Sequence, residues 1–408
     1  MGQTLTSCTK EIIMSNKINI GLFGYGVVGE SLHHVLTHSK TVDAQISKIC
    51  VKQKNKKRSL SADHFSFDKE EIINDRDINL VVELIDDADE AYTIVKRCLE
   101  NGKSVVSGNK KMLAHHLEEL IKLQEETNTS LLYDASACGS IPIIRNIEEY
   151  YDNDLLKSVT GILNGSSNYI LSKIFNEGLD YKIALKQAQE LGFAESNPSL
   201  DVDGFDSLYK LIIIATHALG TYVEPHKVFN YGISNISLDD IQYAREKNLK
   251  IKLVAQVLKL DQESFTMFVI PRLVRPDKYI YNVEDEYNGV VIQGEFYDKQ
   301  FMFGKGAGGY PTGSAVLSDI TARSHNYKYE YKKKKYFKQL EYRTDHEIEV
   351  YLRYRNIVDF SHFDFENISE KYSGRNTSYV VGTIKLSNLL KIKSILPKLD
   401  VFLAYIKN

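Results

Sequence analysis

Apolar and polar positions follow two different rhythms along this chain. Residues 17–24, KINIGLFG, form a short apolar run that breaks into glycines, the pattern of a buried strand entering a turn. The next stretch, VVGESLHHVLTH, places its apolar residues at helical spacing. Strand-like runs recur at 46–51 (ISKICV), at 79–84 (NLVVEL), in KSVVSG and in SLLYDASACG. Helical stretches lie between them, at 88–101, closed by Gly102, and in HHLEELIKLQEETN. Strands alternating with helices predict a doubly wound parallel sheet over residues 17–145.

From about residue 151 the rhythm changes. Helical segments near 168–176, 181–191 and 205–220 are followed by strand-like alternation at 265–275, around 290–293 and at 295–303. This predicts a separate α+β unit over 146–305, with 306–325 returning to the first domain. Near 325–345 the chain is charged and rich in tyrosine (HNYKYEYKKKKYFKQLEYRTDHE), which reads as a linker or exposed strand. Two strands (EIEVYLRYRN, TSYVVGTIKL), a helix (NLLKIKSILPKL) and a last strand (VFLAYIKN) make a small α+β unit over 340–408. Residues 1–16 read as a polar, disordered leader. Three units in 408 residues agree with the size at which single cores stop growing, about 250–300 residues.

Composition mainly excludes. A formal charge of −3 gives no reason to expect nucleic acid or an anionic membrane as partner. No apolar run approaches the roughly 18 residues of a membrane span. The N-terminus MGQTLTSCTKEIIMSNK lacks the apolar core of a secretory signal, although Gly2 and Thr6 match the loose myristoylation pattern. Cys8, Cys50, Cys98 and Cys138 show no C-x-x-C spacing, which points to reduced thiols in a cytoplasmic protein without a zinc site.

Five segments carry candidate chemistry. Gly24-Tyr25-Gly26-Val27-Val28-Gly29 follows the first strand and opens a helix, so its backbone can approach a pyrophosphate at the positive helix end. In this setting the motif predicts a Rossmann-type dinucleotide-binding domain. The second strand ends in Val51-Lys52 with Lys54, Lys56, Lys57 and Arg58 beyond it; cations there favour the 2′-phosphate of NADP over NAD. In the second segment a strand runs into Asn109 and Lys110 at the carboxyl end of the sheet, where ligands bind. In the third, ILNGSSN, Gly165 and Ser166 can bond a polar ligand, or simply begin a helix. In the fourth, Glu195, Asp201, Asp203 and Asp206 precede Lys210, and a helix starting near Gly204 puts Asp206 and Lys210 on one face. The fifth, FGKGAGGYPTGSA, packs glycines, Gly308 among them, as close approach to a ligand or another segment requires.

In this order and spacing the five segments resemble the homoserine dehydrogenase family over roughly residues 17–325, most specifically in ILNGSSNYIL, LGFAESNPSLDVDGFDSLYKL and FGKGAGGYPTGSAVLSDI. The resemblance implies NAD(P)-dependent, reversible reduction of L-aspartate 4-semialdehyde to L-homoserine, on the way to threonine, methionine and isoleucine. Gly24, Gly26, Val27, Val28 and Gly29 would face the cofactor with Lys52, Asn109, Lys110 and Gly308. Lys210, Asp206 and Lys110 would be catalytic, with Lys210 or Lys110 protonating the alkoxide. Glu195 and Asp201, with Gly165 and Ser166, would hold the substrate. Asp134, Ala137, Gly139 and Ile141 match a loop that binds a monovalent cation, typically sodium, in the family. A homodimer or homotetramer is expected, and the C-terminal unit would be a divergent or shortened ACT-like domain, structural or regulatory. The chain departs from the usual family pattern at Asp134 (usually glutamate), at Asp86-Asp87 (usually a glycine pair) and at Ser107-Gly108 (commonly Thr-Ala). A catalytically silent cofactor-binding sensor and a different amino-acid dehydrogenase are the rival readings. Lys110, Asp206 and Lys210 argue against the first, ILNGSSN and GAGGYPT against the second.

Overall fold

The computed structural model describes residues 17–40 and 42–406; the leader with Cys8 and its myristoylation pattern lies outside them. The first unit is a six-stranded parallel sheet in the order 3-2-1-4-5-6. Its inner strands Ile18–Phe23, Leu80–Glu83 and Ser104–Ser107 are almost entirely buried, as strands with helices on both faces must be. The order reverses between Ile18–Phe23 and Leu80–Glu83, and the crevice above their carboxyl ends is where such sheets take ligands. The helix Val27–His38 starts there.

The helix Gly309–Ser324 returns to this unit and packs on Val27–His38, burying Val316 and Ile320. The approach needs glycine: a Cβ at Gly313 would lie 2.9 Å from the Leu32 nitrogen. Part of the glycine density in the fifth segment is therefore a packing requirement.

The second unit is built on a mixed sheet. Along its path run Lys299–Lys305, Tyr287–Gly294, Leu156–Ile162, Lys250–Lys259 and Ser264–Val274. Leu156–Ile162 and Lys250–Lys259 were not expected from the pattern; Lys250–Lys259 is buried at seven consecutive positions, so it shows no alternation. The helix Phe205–Leu219, buried at every position but its first, packs on this sheet and reaches toward the first unit through Lys110–Thr127. We call it the central helix.

The tyrosine- and lysine-rich stretch is not a linker. Tyr329, Tyr331 and Lys333 are only 1%, 2% and 7% exposed. The Tyr133 hydroxyl sits 2.9 Å from that of Tyr331 and 2.7 Å from His217 Nε2. His217 lies in turn 2.5 Å from Glu148. Each lysine of the run has its own acceptor: Asp152 for Lys332, the Ala218 carbonyl for Lys333, Glu118 for Lys334 and Glu125 for Lys335. Tyrosine buries its ring while its hydroxyl stays paired, so a stretch that reads as polar folds into the core.

The C-terminal residues form strand, one-turn helix, strand, strand, helix and strand, in the spatial order fourth, first, third, second. The second of these strands, Phe365–Ser373, was missed because it is largely exposed and its few apolar residues do not alternate. The unit is not a separate layer: Val401–Ile406 pairs in parallel with Ser264–Val274 and continues the second sheet. The buried Arg353 fastens it further, against Asp240 at 3.2 Å and Asp400 at 3.0 Å. Among the described residues no helix is long and apolar enough to cross a membrane.

Candidate active site

The carboxyl ends of the parallel strands face the start of the central helix across a cleft of about 630 Å³. Gly204 precedes the helix with φ of +81°, a left-handed conformation that suits glycine. Two residues on, Asp206 begins the helical face that carries Lys210 one turn later. The two form a buried pair, Asp206 Oδ2 to Lys210 Nζ at 2.8 Å. This is not the solvated i,i+4 pair that the spacing alone most often means, because the whole helix is enclosed.

The other oxygen of Asp206 is taken from across the cleft. Lys110 Nζ lies 2.9 Å from Asp206 Oδ1, and its side chain is 40% exposed where that of Lys210 is 7% exposed. Lys110 gets there as the first residue of Lys110–Thr127, whose preceding Asn109 accepts from the Met112 N–H at 2.9 Å. Burial would raise the Asp206 pKa, but the charges and hydrogen bonds of the two lysines outweigh it and hold the carboxyl well below the usual range. The charge of Asp206, first, and its hydrogen bond raise the Lys110 pKa against burial. Lys210 also donates to the Leu163 carbonyl at 2.7 Å, which leaves one of its three N–H bonds uncommitted.

Asp201 stands beside this pair. Its carboxyl is raised above its ordinary value, by burial first and the charge of Asp206 second, against the opposing effects of Asn164, Lys210 and Lys110. Glu195 lies at the cleft rim and is exposed. Gly165 opens the helix Gly165–Glu177 and must be small, since a Cβ there would lie 2.6 Å from the Glu286 carbonyl. The Ser166 hydroxyl donates to the Phe193 carbonyl and so ties this helix to the acidic loop.

On the nucleotide side, Gly24 has φ of +93° and a Cβ there would lie 2.6 Å from the Leu84 carbonyl. Val27, at the start of its helix, is 72% exposed, and Val28 and Gly308 line the cleft. Lys52, Lys54, Lys56 and Lys57 are all exposed, while Arg58 stacks over the Phe65 ring at 5.0 Å. Asn109 is engaged within the protein: besides its cap it donates to the Ile85 carbonyl at 3.0 Å. Its contribution is to place Lys110 and the 84–86 turn. Asp87 accepts from the Glu90 N–H at 3.1 Å as a helix cap, which accounts for one of the two acids at the family's glycine pair.

Much of the cation loop is engaged by hydrogen bonds within the protein. Asp134 Oδ1 accepts from the N–H groups of Ile144 and Arg145, at 2.8 and 3.2 Å, so that oxygen is engaged at a helix start. The main-chain oxygens of Asp134 and Ile141 accept from Ala137 and Ile143. Gly139, with φ of +54°, packs against Lys305 and Gly306, where a Cβ would come within 2.7 Å of the backbone. Among the described residues no group of three or more His, Cys, Asp or Glu side chains stands ready to hold a metal. The hydrogen bonds of the loop occupy one oxygen of the Asp134 carboxylate and one lone pair of each of the main-chain oxygens of Asp134 and Ile141.

Three features were missed from sequence. Glu83, fully buried near the end of the third strand-like run, accepts from Ser107 Oγ at 2.5 Å and from the Ile85 N–H at 2.8 Å, and burial pushes its pKa up to about 7. An acid closing the run NLVVEL was the available signal. Glu286 and Lys305 pair at 3.2 Å on the cleft wall, without any sequence signal joining them. Asn164 donates to both Asp201 and Asp206, at 2.7 and 3.0 Å, and only the motif around it stood out.

A homoserine dehydrogenase family model matches residues 142–321, and the model of that enzyme's NAD-binding domain matches residues 24–134. The homoserine dehydrogenase of Helicobacter pylori is 36% identical over 314 residues, covering 75% of this chain and 74% of that protein. That of Lactococcus lactis is 33% identical, covering 74% and 73%. The crystal structure of a homoserine dehydrogenase from Thiobacillus denitrificans superimposes with a TM-score of 0.82 at 25% identity, covering 96% of this chain and 98% of its own. A hyperthermophilic archaeal homoserine dehydrogenase in complex with NADPH gives 0.67 at 27% identity, covering 76% and 99%.

Proposed function

The chain belongs to the homoserine dehydrogenase family, and from that premise we propose how its cleft carries the reaction. The protein is an NAD(P)-dependent oxidoreductase that interconverts aspartate 4-semialdehyde and homoserine. One observation carries the assignment of roles: a single buried carboxylate, Asp206, holds two ammonium groups, Lys210 and Lys110, one on each oxygen, at the wall of the cleft.

A reduced nicotinamide, when bound, supplies the hydride that reaches the aldehyde carbon. Gly24 and the glycines after it leave the backbone open to its pyrophosphate at the N-terminus of Val27–His38. Asp201 and Glu195 take the substrate ammonium. As the carbonyl oxygen gains negative charge, Lys210 donates its uncommitted hydrogen to it, and Lys110 adds a second positive charge from the facing wall. The aldehyde thus gains one hydride and one proton to become the alcohol. In the oxidising direction the same lysine, once deprotonated, accepts the hydroxyl proton. Asp206 holds both lysines in place throughout. Asp206→Asn tests this: turnover should fall by at least roughly a hundredfold with cofactor affinity nearly unchanged. Retention of turnover would remove the assignment.

NADP is favoured over NAD because Lys52, Lys54, Lys56 and Lys57 stand exposed beyond the second strand, with no acid ending that strand to take a ribose hydroxyl. The archaeal relative solved with NADPH supports that choice. We keep a homo-oligomer in the reading, supported by the partly exposed ring stacks beside the open sheet edge, Tyr279 on Phe301 and Tyr287 on Phe303; sedimentation velocity tests it. Cys50, Cys98 and Cys138 are unpaired, which suits the reducing cytoplasm. An ion at the 134–141 loop would rest on main-chain oxygens, those of Ala137 and Gly139 among them, and no step here uses it. For the C-terminal unit, the strand order supports an ACT-like fold.

A further inference from the structure

Asn164 immediately precedes the helix Gly165–Glu177 and has extended backbone angles, φ −126° and ψ 116°. Its Oδ1 accepts from the Ser167 N–H at 2.7 Å, an ordinary N-terminal cap. That bond orients the amide. Its Nδ2 then points the other way and donates to Asp201 Oδ1 at 2.7 Å and to Asp206 Oδ2 at 3.0 Å. Both hydrogens of the amide are used, and the reverse orientation would put an oxygen against two carboxylates. Asn164 is itself 5% exposed.

The two acids it joins have different surroundings. Asp206 receives Lys110 on one oxygen and Lys210 and Asn164 on the other. Asp201 has Asn164 as its donor on Oδ1, and Oδ2 is left for a ligand. A buried carboxylate and a half-buried one this close repel, and one would ordinarily take up a proton. A protonated Asp201 would no longer attract an ammonium group.

We propose that Asn164 is a positioning residue whose amide separates Asp201 from Asp206 and fixes the spacing between the substrate-ammonium site and the proton-donating lysines. The inference rests on the roles given above to Asp201, Asp206 and Lys210. It assigns Asn164 a part in turnover that a helix cap alone does not have. The charged groups around Asp201 that bear on its ionisation are Asp206 and Lys210 on the central helix and Lys110 from the facing helix, with Glu195 at the rim.

Two substitutions separate the roles. Asn164→Asp keeps an oxygen for the Ser167 N–H, removes the amide hydrogens and adds a third carboxyl. Asn164→Ser keeps a good cap and adds no charge. Both full-length variants are assayed with homoserine and saturating cofactor across pH, and melted in parallel, with Asp206→Asn as the reference. The melting temperature should fall modestly in Asn164→Ser and further in Asn164→Asp, where a third carboxyl faces two others, so activity is read per folded protein. The kcat/KM for homoserine should drop roughly ten- to a hundredfold, the range for losing a hydrogen bond to a charged group. Asp201 must be ionised to bind the ammonium, so its pKa should rise and the acid limb of kcat/KM should move up by about one pH unit in Asn164→Asp. If Asp206→Asn is inactive while both Asn164 variants keep kcat/KM within about twofold and an unmoved acid limb, the inference is overturned and the wider reading stands. Activity lost only in proportion to folded protein overturns it as well. If Asp206→Asn is active, the wider reading fails instead.

Discussion

Asn109 and Asn164 each cap the start of a helix that supplies a wall of the cleft. Each accepts from a backbone N–H of its own first turn, Met112 at 2.9 Å and Ser167 at 2.7 Å. Their amide nitrogens differ. That of Asn109 meets a neutral carbonyl, Ile85, whereas that of Asn164 meets two carboxylates. A neutral hydrogen bond contributes about 0.5–1.5 kcal/mol net, and one to a charged group about 1.5–3 kcal/mol. The same residue in the same local role thus ties backbone to backbone on the nucleotide wall, and on the catalytic wall also holds two charged groups.

The largest effect expected on the catalytic wall is that of Lys210→Ala, which should cut kcat by roughly 10²–10⁴ while cofactor dissociation constants stay near normal. Stopped-flow turnover and fluorescence titration read the two quantities. Turnover within a few-fold of wild type would move the proton donor to Lys110 and erase the contrast between the walls.

Next comes the pH dependence of that wall. Asp201 is raised by burial and by Asp206, and its ionised form binds the ammonium. The kcat/KM for homoserine should therefore fall as pH drops through that raised value, with an acid limb above the ordinary aspartate value of about 3.9. Asp201→Asn should lower the plateau and remove the limb. A limb that persists unchanged belongs to another group.

On the nucleotide wall, Asn109→Ala should cost about 1–2 kcal/mol in unfolding free energy from the lost cap and its tie to Ile85. The KM for cofactor should rise a few-fold, with the acid limb for homoserine unmoved. Calorimetry and a pH series check this; a shifted limb would mean that the two asparagines share one role.

The smallest effect is expected furthest from both caps. Lys52→Glu combined with Lys57→Glu should weaken NADP more than NAD, by several-fold, and the difference should shrink with salt because these lysines are exposed. Titration of both cofactors at two ionic strengths measures it. An unchanged affinity ratio would leave the basic loop merely solvated.

How much of this was legible in advance follows from what local pattern encodes. Alternation of apolar runs with helical spacing was enough for the parallel sheet, since each such run states which face of its element is buried. The glycine turn after Phe23 could be placed because backbone conformation there is demanded by the nearest residues. Spacing likewise put Asp206 and Lys210 on one face, because four residues make about one helical turn. Lys250–Lys259 and Phe365–Ser373 escaped for opposite reasons, one buried on both faces and the other exposed on both, so neither alternates.

The partners of charged groups were decided only by the tertiary structure. Nothing near Lys110 in sequence says that it will reach Asp206, nor near Asn164 that its amide will divide two acids. The lysines at 332–335 look as solvated as those at 52–57, yet each of the former has an acceptor from a distant element. Asp134 reads as a candidate ligand, and only the fold shows that one of its oxygens meets the N–H groups of Ile144 and Arg145. The reason is physical: periodicity records which face of an element avoids water, a local and additive property, while the free energy of a charge depends on every group that folding brings within a few ångströms of it.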